Sequence, residues 1–400
     1  MPPYNEDFKE IAHCGGQATF NVHCDTDGRI SVAPGFRHSS PGPASWIGIY
    51  ALAYNAQPVM DFNMGGIGQG FDPPMPDECW PVFLGSDSQM KRGHRCPRCK
   101  GDFRNSSHTK IFPLSCPYCG LKAEAFRFLT PAQRRYVTHY VKTLMGAYHA
   151  DMEPNTEKEI VIDMDTIADQ DVAARPDFYY AEESQQTRYT CDKCDEFNDI
   201  RGLYGYCASC GHRNNATSFR TGIAKLRDDL NNPLSSPSEV VRSSVSKFDA
   251  CCRDILAQVS KRVAMRASRR EDFDRLKFHD VDNDVFKRLK PMFDIDLLRG
   301  ISAADLSFLT LMLHRRHVYE HNDGVSDDRY IRESGDVDAR IGVLIRETQE
   351  NAHRLLGILA RMVENMQTDF HEIFPLTEWP VEYAKETRKR RGKPPSAGPT

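Results

Sequence analysis

Four C-x-x-C pairs constrain this chain more than any other feature: Cys96/Cys99, Cys116/Cys119, Cys191/Cys194 and Cys207/Cys210. In each pair the short spacing aims both sulfurs at one point. The pairs are themselves coupled, with 16 residues between Cys99 and Cys116 and 12 between Cys194 and Cys207. Two such knuckles brought together by a turned loop give four thiolates in a tetrahedron, the arrangement that Zn2+ accepts in closed structural sites. The expectation is therefore two zinc ribbons, over residues 91–130 and 186–215, holding two structural Zn2+ ions. Gly120 and Gly211 end each set and let backbone amides approach the sulfurs. A redox or iron–sulfur use is the rival reading, weakened because a redox C-x-x-C needs no second pair. A catalytic zinc is disfavoured, since four thiolates leave no open position. His94 and His212 are spare nitrogen ligands. The ribbons are expected to staple segments with small cores, with contact to nucleic acid or protein as a further use.

The remaining cysteines of the 13, at 14, 24, 79, 251 and 252, lack ligand spacing. Cys251 and Cys252 sit in a helical pattern and read as small core residues. Paired cysteines of this kind in a large chain point to metal binding in a reducing compartment, so a cytoplasmic location is expected. The N-terminal MPPYNEDFKE shows no signal-peptide pattern, and no run reaches the roughly 18–20 apolar residues of a membrane span. The 400 residues suggest two to four domains. A formal net charge of −4 removes any global attraction to nucleic acid, so contact with it must use local patches.

Residues 1–90 read as a small β-rich domain of unassigned role, a candidate docking surface for a protein partner. Alternating segments at 18–23 and 29–32 flank Asp25-Thr26-Asp27-Gly28, a hairpin signal. Two more strands flank Tyr54-Asn55-Ala56-Gln57. Within 131–185, Thr130-Pro131 starts a helix to about 150 with Pro at its first position, and residues 159–163 read as strand. Residues 216–237 read as a linker. From 238 the period becomes helical: Val241, Val245, Phe248, Cys252, Ile255 and Val259 form one stripe, and Leu355, Leu359, Met362 and Met366 another. Ser302-Ala303-Ala304-Asp305 opens a helix that runs to His321 and stops at Gly324. The fold class is thus multidomain: a β-rich N-terminal domain, two zinc ribbons and a C-terminal all-α bundle over 238–375. Residues 376–400 read as a basic, disordered tail.

The sharpest motif is His314-Arg315-Arg316-His317-Val318-Tyr319-Glu320-His321-Asn322-Asp323-Gly324. Arg316, the polar His317 and His321 match the R-x4-6-H signature, and the stretch RRHVYEHNDGVSDDRY from 315 resembles a bacterial subgroup of the HEPN family. The resemblance covers about residues 238–375. It implies a helical bundle, a homodimer whose motifs face each other, and metal-independent RNA cleavage in bacterial stress response or antiviral defence. The chemistry agrees. RNA carries a 2′-hydroxyl that can attack its own phosphodiester, a histidine can move the proton near neutral pH, and an arginine can hold the phosphate and its developing charge. The candidate catalytic residues are Arg316, His321 and His317. On a straight helix, positions five apart diverge by about 140°, so Arg316 and His321 converge only if His321 sits in the last turn.

Other readings stay open. His314, His317 and His321 share one helix face and could bind a metal. The whole could be a non-catalytic adaptor that binds RNA or protein. Gly65-Gly66-Ile67-Gly68-Gln69-Gly70 superficially matches a phosphate loop, but Phe71-Asp72-Pro73-Pro74 cannot open the helix such a loop needs, and a turn or bulge is the better reading. The basic run at 261–270 reads as a solvated helix face or an RNA-backbone track.

Overall fold

In the computed structural model, residues 16–38, 46–64, 70–86, 91–106, 113–163, 166–167, 186–232, 235–279 and 285–392 are described. The glycine-rich 65–69, Cys14 and residues 393–400 lie outside them. The chain forms two compact units, one of residues 1–212 with 377–400, the other of residues 213–376.

The first unit begins with the predicted hairpin, β1 (Gly16–Cys24) and β2 (Ile30–His38). Its turn is held by the Gly28 N–H donating to the Asp25 carbonyl at 3.1 Å, with Gly28 at φ 75°. Strands β3 (Trp46–Leu52), β4 (Pro58–Met64), β5 (Phe71–Asp72) and β6 (Cys79–Gly85) form a second sheet in the order β5-β4-β3-β6. Next come β7 (Lys91–Arg95), β8 (Asp102–Ser106), β9 (Leu114–Ser115) and β10 (Lys122–Ala123). The helix α1 (Pro131–Tyr148) carries the expected cap: the Thr130 side chain accepts from the Gln133 N–H, and Gln133 returns a bond to the Thr130 N–H. Strand β11 (Thr156–Asp163) pairs antiparallel with β1, making the order β11-β1-β2.

Helix α1 packs on the N-terminal strands. Tyr136, Val137, Tyr140, Val141 and Leu144 recur every three or four positions and bury against Phe20, Val22, Ile49 and Val82. One core therefore joins the N-terminal strands to residues 131–163, and the sequence-derived boundary at 90 falls inside a single folding unit.

Strands β12 (Gln186–Thr190) and β13 (Phe197–Arg201) complete this unit's sheets. The second unit is helical: α2 (Asn215–Leu230), α3 (Pro237–Arg262), α4 (Ala267–Asp274), α5 (Val285–Phe293), α6 (Ala303–His321), α7 (Asp328–Ser334) and α8 (Gln349–Ile373). Both predicted stripes are buried, from Val241 to Val259 on α3 and from Leu355 to Met366 on α8. Cys251 and Cys252 lie in the same core. A last helix, α9 (Glu378–Arg390), belongs to the first unit.

Two sequence expectations are corrected. The stretch read as a linker from 216 is mostly α2: Ala216, Phe219, Ile223, Leu226 and Leu230 bury one face. Its N-terminal end is tied in, since Gln367 accepts from the Ala216 N–H at 2.6 Å and donates to the Arg213 carbonyl at 2.9 Å. The stretch read as a disordered tail is helical to Arg390. Val381 packs on the second cysteine cluster, and Arg388 bonds both carboxylate oxygens of Asp195, at 2.6 and 2.7 Å.

Candidate functional site

The first unit brings the cysteines together as their spacing predicts. Among the described residues, Cys96, Cys99, Cys116 and Cys119 form one group and Cys191, Cys194, Cys207 and Cys210 another, each with all four sulfurs within 4.8 Å of one another. Closest sulfur pairs are 3.6 and 3.7 Å apart in the first group and 3.5 and 3.6 Å in the second. A tetrahedral ion with bonds of about 2.3 Å to sulfur needs edges of about 3.8 Å, so both groups suit a metal ion.

All four knuckles share one backbone design. The first cysteine's carbonyl accepts from the N–H four residues on, in Lys100, Gly120, Asp195 and Gly211, at 2.9–3.0 Å. Those four residues all have positive φ, between 59° and 77°. The glycines were singled out for this role; Lys100 and Asp195 adopt the same conformation with a side chain attached.

The two groups are one module. Strand β8 pairs with β13, so both knuckle hairpins join a single sheet, β12-β13-β8-β7. The Ser115 N–H donates to the Ala208 carbonyl at 2.7 Å and the Tyr206 N–H to the Pro117 carbonyl at 2.9 Å. At the seam Arg104 Nη2 meets Asp199 Oδ2 at 2.9 Å, both side chains essentially without exposure. Of the spare histidines, His94 bonds Asn105 at 2.8 Å, while His212 Nδ1 lies 3.2 Å from Asp192 Oδ1, and Cys191, Asp192 and His212 form a further ligand-distance group.

The second unit places the motif. Helix α6 runs from its Ser302 cap, which accepts from the Asp305 N–H at 3.0 Å, to His321. Asn322 ends it, and Asp323 and Gly324 follow at φ 51° and 84°. His321 is therefore in the last turn. Arg316, His317 and His321 line one cleft of about 340 Å³ together with His314, Lys277 and His279. Asp327, Arg329 and Glu333 close it from α7 and its cap.

Within the cleft the His317 and His321 rings lie 4.6 Å apart. Burial pushes the His317 pKa down, and His321, Arg329 and Arg316 push it further. The Arg316 side chain is 13% exposed, its nearest carboxylate is Glu320 at 3.8 Å, and its Nε is buried with no hydrogen-bond partner. Arg316 thus lines the cleft with no close carboxylate to neutralise it, and a guanidinium so placed suits an anionic oxygen. The three α6 histidines share the cleft, but they are not among the groups at metal-ligand distance in the described residues.

Sequence reasoning missed Lys277, His279 and Arg329. Lys277 and His279 come from another segment and carry no local pattern, while Arg329 lies inside the 315–330 stretch but has no ligand role of its own there. The basic run at 261–270 is split between α3 and α4, and Arg266 and Arg269 border a separate cleft of about 730 Å³ with Met265 and Phe293. No helix of the described residues is long and apolar enough to cross a membrane. No protein-family model, curated protein or solved structure matches this chain.

Proposed function

We propose that this protein is a metal-independent RNA endonuclease whose active site is the α6 cleft, and that its helical unit is a HEPN-type bundle. The observation that carries the reading is the placement of Arg316, His317 and His321 on one cleft, with the Arg316 Nε buried and unpartnered. Arg316 holds the scissile phosphate and stabilises the charge added on its oxygens as the 2′-oxygen attacks. His321 removes the 2′-hydroxyl proton. His317, its pKa pushed down by burial and by His321, Arg329 and Arg316, lies against the His321 ring and steadies it. The chain works as a homodimer in bacterial stress response or antiviral defence, which rests on the family resemblance alone. It acts in the cytoplasm.

The two tetracysteine groups hold Zn2+ on this reading. Four sulfurs at tetrahedral spacing and hydrogen bonds to sulfur, such as the His212 N–H to Cys210 Sγ at 3.4 Å, fit a closed structural ion. Such an ion supplies folding energy, and no step of the cleavage passes through it.

The test is cleavage of single-stranded RNA by full-length protein carrying R316A, H321A or H317A. Arg316→Ala and His321→Ala are each expected to slow cutting by about 10²–10³-fold or more, with the fold intact. His317→Ala is expected to cost less and to gain nothing from added metal. Metal rescue of His317→Ala would favour a three-histidine metal site. A wild-type dimer that binds a partner through this cleft and cuts no RNA would establish the adaptor reading.

A further inference from the structure

We propose, resting on the ribonuclease reading above, that His279 is the general acid of the cleft and Asp249 its positioning residue. His279 enters the cleft that holds Arg316, His317 and His321, but from the segment after α4. Its Nδ1 lies 3.0 Å from Asp249 Oδ1 on α3. The Asp249 side chain is 5% exposed. The same Oδ1 accepts the Phe278 N–H at 2.8 Å, and Oδ2 meets Arg253 Nε at 2.9 Å. Phe278, next to the histidine, is wholly buried, with the rings of Phe248 and Phe286 at 6.2 and 6.4 Å. The ring of His279 and the backbone next to it are thus both held, on a segment outside α6.

A carboxylate at Nδ1 decides the chemistry of the other nitrogen. Nδ1 carries its hydrogen toward Asp249, which leaves Nε2 as the working atom. When Nε2 is also protonated, the buried carboxylate faces an imidazolium and stabilises it, as in other histidine–aspartate pairs. The α6 histidines have the opposite setting. The His317 and His321 rings lie 4.6 Å apart, tilted at 56°, and the lowered pKa of His317 reflects burial and the neighbouring His321, Arg329 and Arg316. The Nδ1–Asp249 pair, which aims Nε2 as a donor, therefore places the acid at His279, and the base belongs on α6 beside Arg316.

The step balances without a further reagent. His321 takes the 2′-hydroxyl proton as the 2′-oxygen bonds to phosphorus. The bond from phosphorus to the 5′-oxygen breaks, and its electron pair takes the Nε2 proton of His279. The products are a 2′,3′-cyclic phosphate and a 5′-hydroxyl. Solvent exchange then returns a proton to His279 and removes one from His321. Acid, base and phosphate-binding arginine all come from one protomer, so a second copy is not needed to complete the proton transfers.

The experiment uses full-length wild type, His279→Gln and Asp249→Asn with a single-stranded RNA whose cut site has been mapped. A second RNA carries sulfur in place of the 5′-oxygen at that linkage, since a thiolate leaves without protonation. His279→Gln is expected to slow the oxygen linkage by about 10²–10⁴-fold and the sulfur linkage by less than about tenfold. Asp249→Asn keeps an acceptor for the Phe278 N–H and is expected to show the same oxygen-selective loss, at smaller size. A folded His279→Gln protein that cuts the oxygen linkage at the wild-type rate, or is slowed equally on both, overturns the assignment. If His279→Gln does not fold, Asp249→Asn decides by the same comparison. Wild type that cuts neither RNA removes the ribonuclease reading itself and this assignment with it. Wild type that cuts both while His279→Gln matches it removes the assignment alone.

Discussion

Arg315 and Arg316 are neighbours on α6 with opposite surroundings. Arg315 Nη2 bonds Asp336 Oδ2 at 2.8 Å, and its Nη1 lies 3.3 Å from Glu347, whose side chain is fully buried. Tyr319 also donates to Glu347, at 3.1 Å. Arg316 lines the cleft with its Nε unpartnered. Arg315 thus pins the segment between α7 and α8 to α6, and Arg316 is left to face a ligand.

Stability and activity should therefore separate along this dipeptide. Arg315→Ala strands the Glu347 and Asp336 carboxylates and is expected to destabilise the protein by about 3 kcal/mol. Arg316→Ala breaks only a long, partly exposed pair and should cost less than about 1 kcal/mol. Denaturant melts of both variants check this. An Arg316→Ala protein as unstable as Arg315→Ala would make Arg316 structural.

A second prediction concerns pH. Burial raises the Asp61 pKa to about 7, against opposing hydrogen bonds from the Ala125 and Phe126 N–H groups. The native state then binds a proton more tightly than the unfolded chain. Stability from this group is present below the ordinary value of 3.8 and is lost as pH rises toward 7. Asp61→Asn should raise stability at pH 8 by about 1–2 kcal/mol after allowance for partial exposure, read as a higher melting temperature, and give no gain at pH 4. Equal effects at both values would show that Asp61 does not titrate in this range.

The shared sheet of the two tetracysteine groups predicts that metal binding at one depends on the other. Elemental analysis should find about two zinc ions per chain. Cys116→Ser should release the first ion and also weaken retention of the second, because β8 and β13 lie in one sheet and meet at Arg104 and Asp199. Helical circular dichroism should largely survive, since α2 to α8 form a separate compact unit. Iron in place of zinc, or full retention of the second ion, would contradict this account.

What the sequence made legible was local. Two coupled C-x-x-C pairs with a turned loop between them point to a pair of knuckles, so the eight clustered cysteines could be named directly. The Asp25–Gly28 turn, the Thr130 cap and the apolar stripes of α3 and α8 are also set by residues a few positions apart. Pairings across long stretches of chain were not legible. Nothing near Arg104 announces Asp199, and nothing near His279 announces Asp249, because burial and sheet pairing select these partners. Helices α2 and α9 were missed for other reasons. Helix α9 is polar and charged with Pro380 and Ala384 buried, so composition masked its period. Helix α2 carries Ala216, Phe219, Ile223, Leu226 and Leu230 at helical spacing and was overshadowed by the Asn231–Pro237 run that follows it. The motif of α6 was readable, but its meeting with Lys277 and His279 depended on the fold.

The most direct measurement is the cut itself, on an RNA and on the same RNA with a single 2′-deoxy residue at the cleavage site, in EDTA for times too short to strip the structural ions. Cleavage of the first, with 2′,3′-cyclic phosphate ends by mass spectrometry, and protection of the second are the expected results. Cutting of the deoxy substrate, or products ending in a 3′-hydroxyl, would mean that the 2′-oxygen is not the nucleophile and would contradict the proposed role of the α6 cleft.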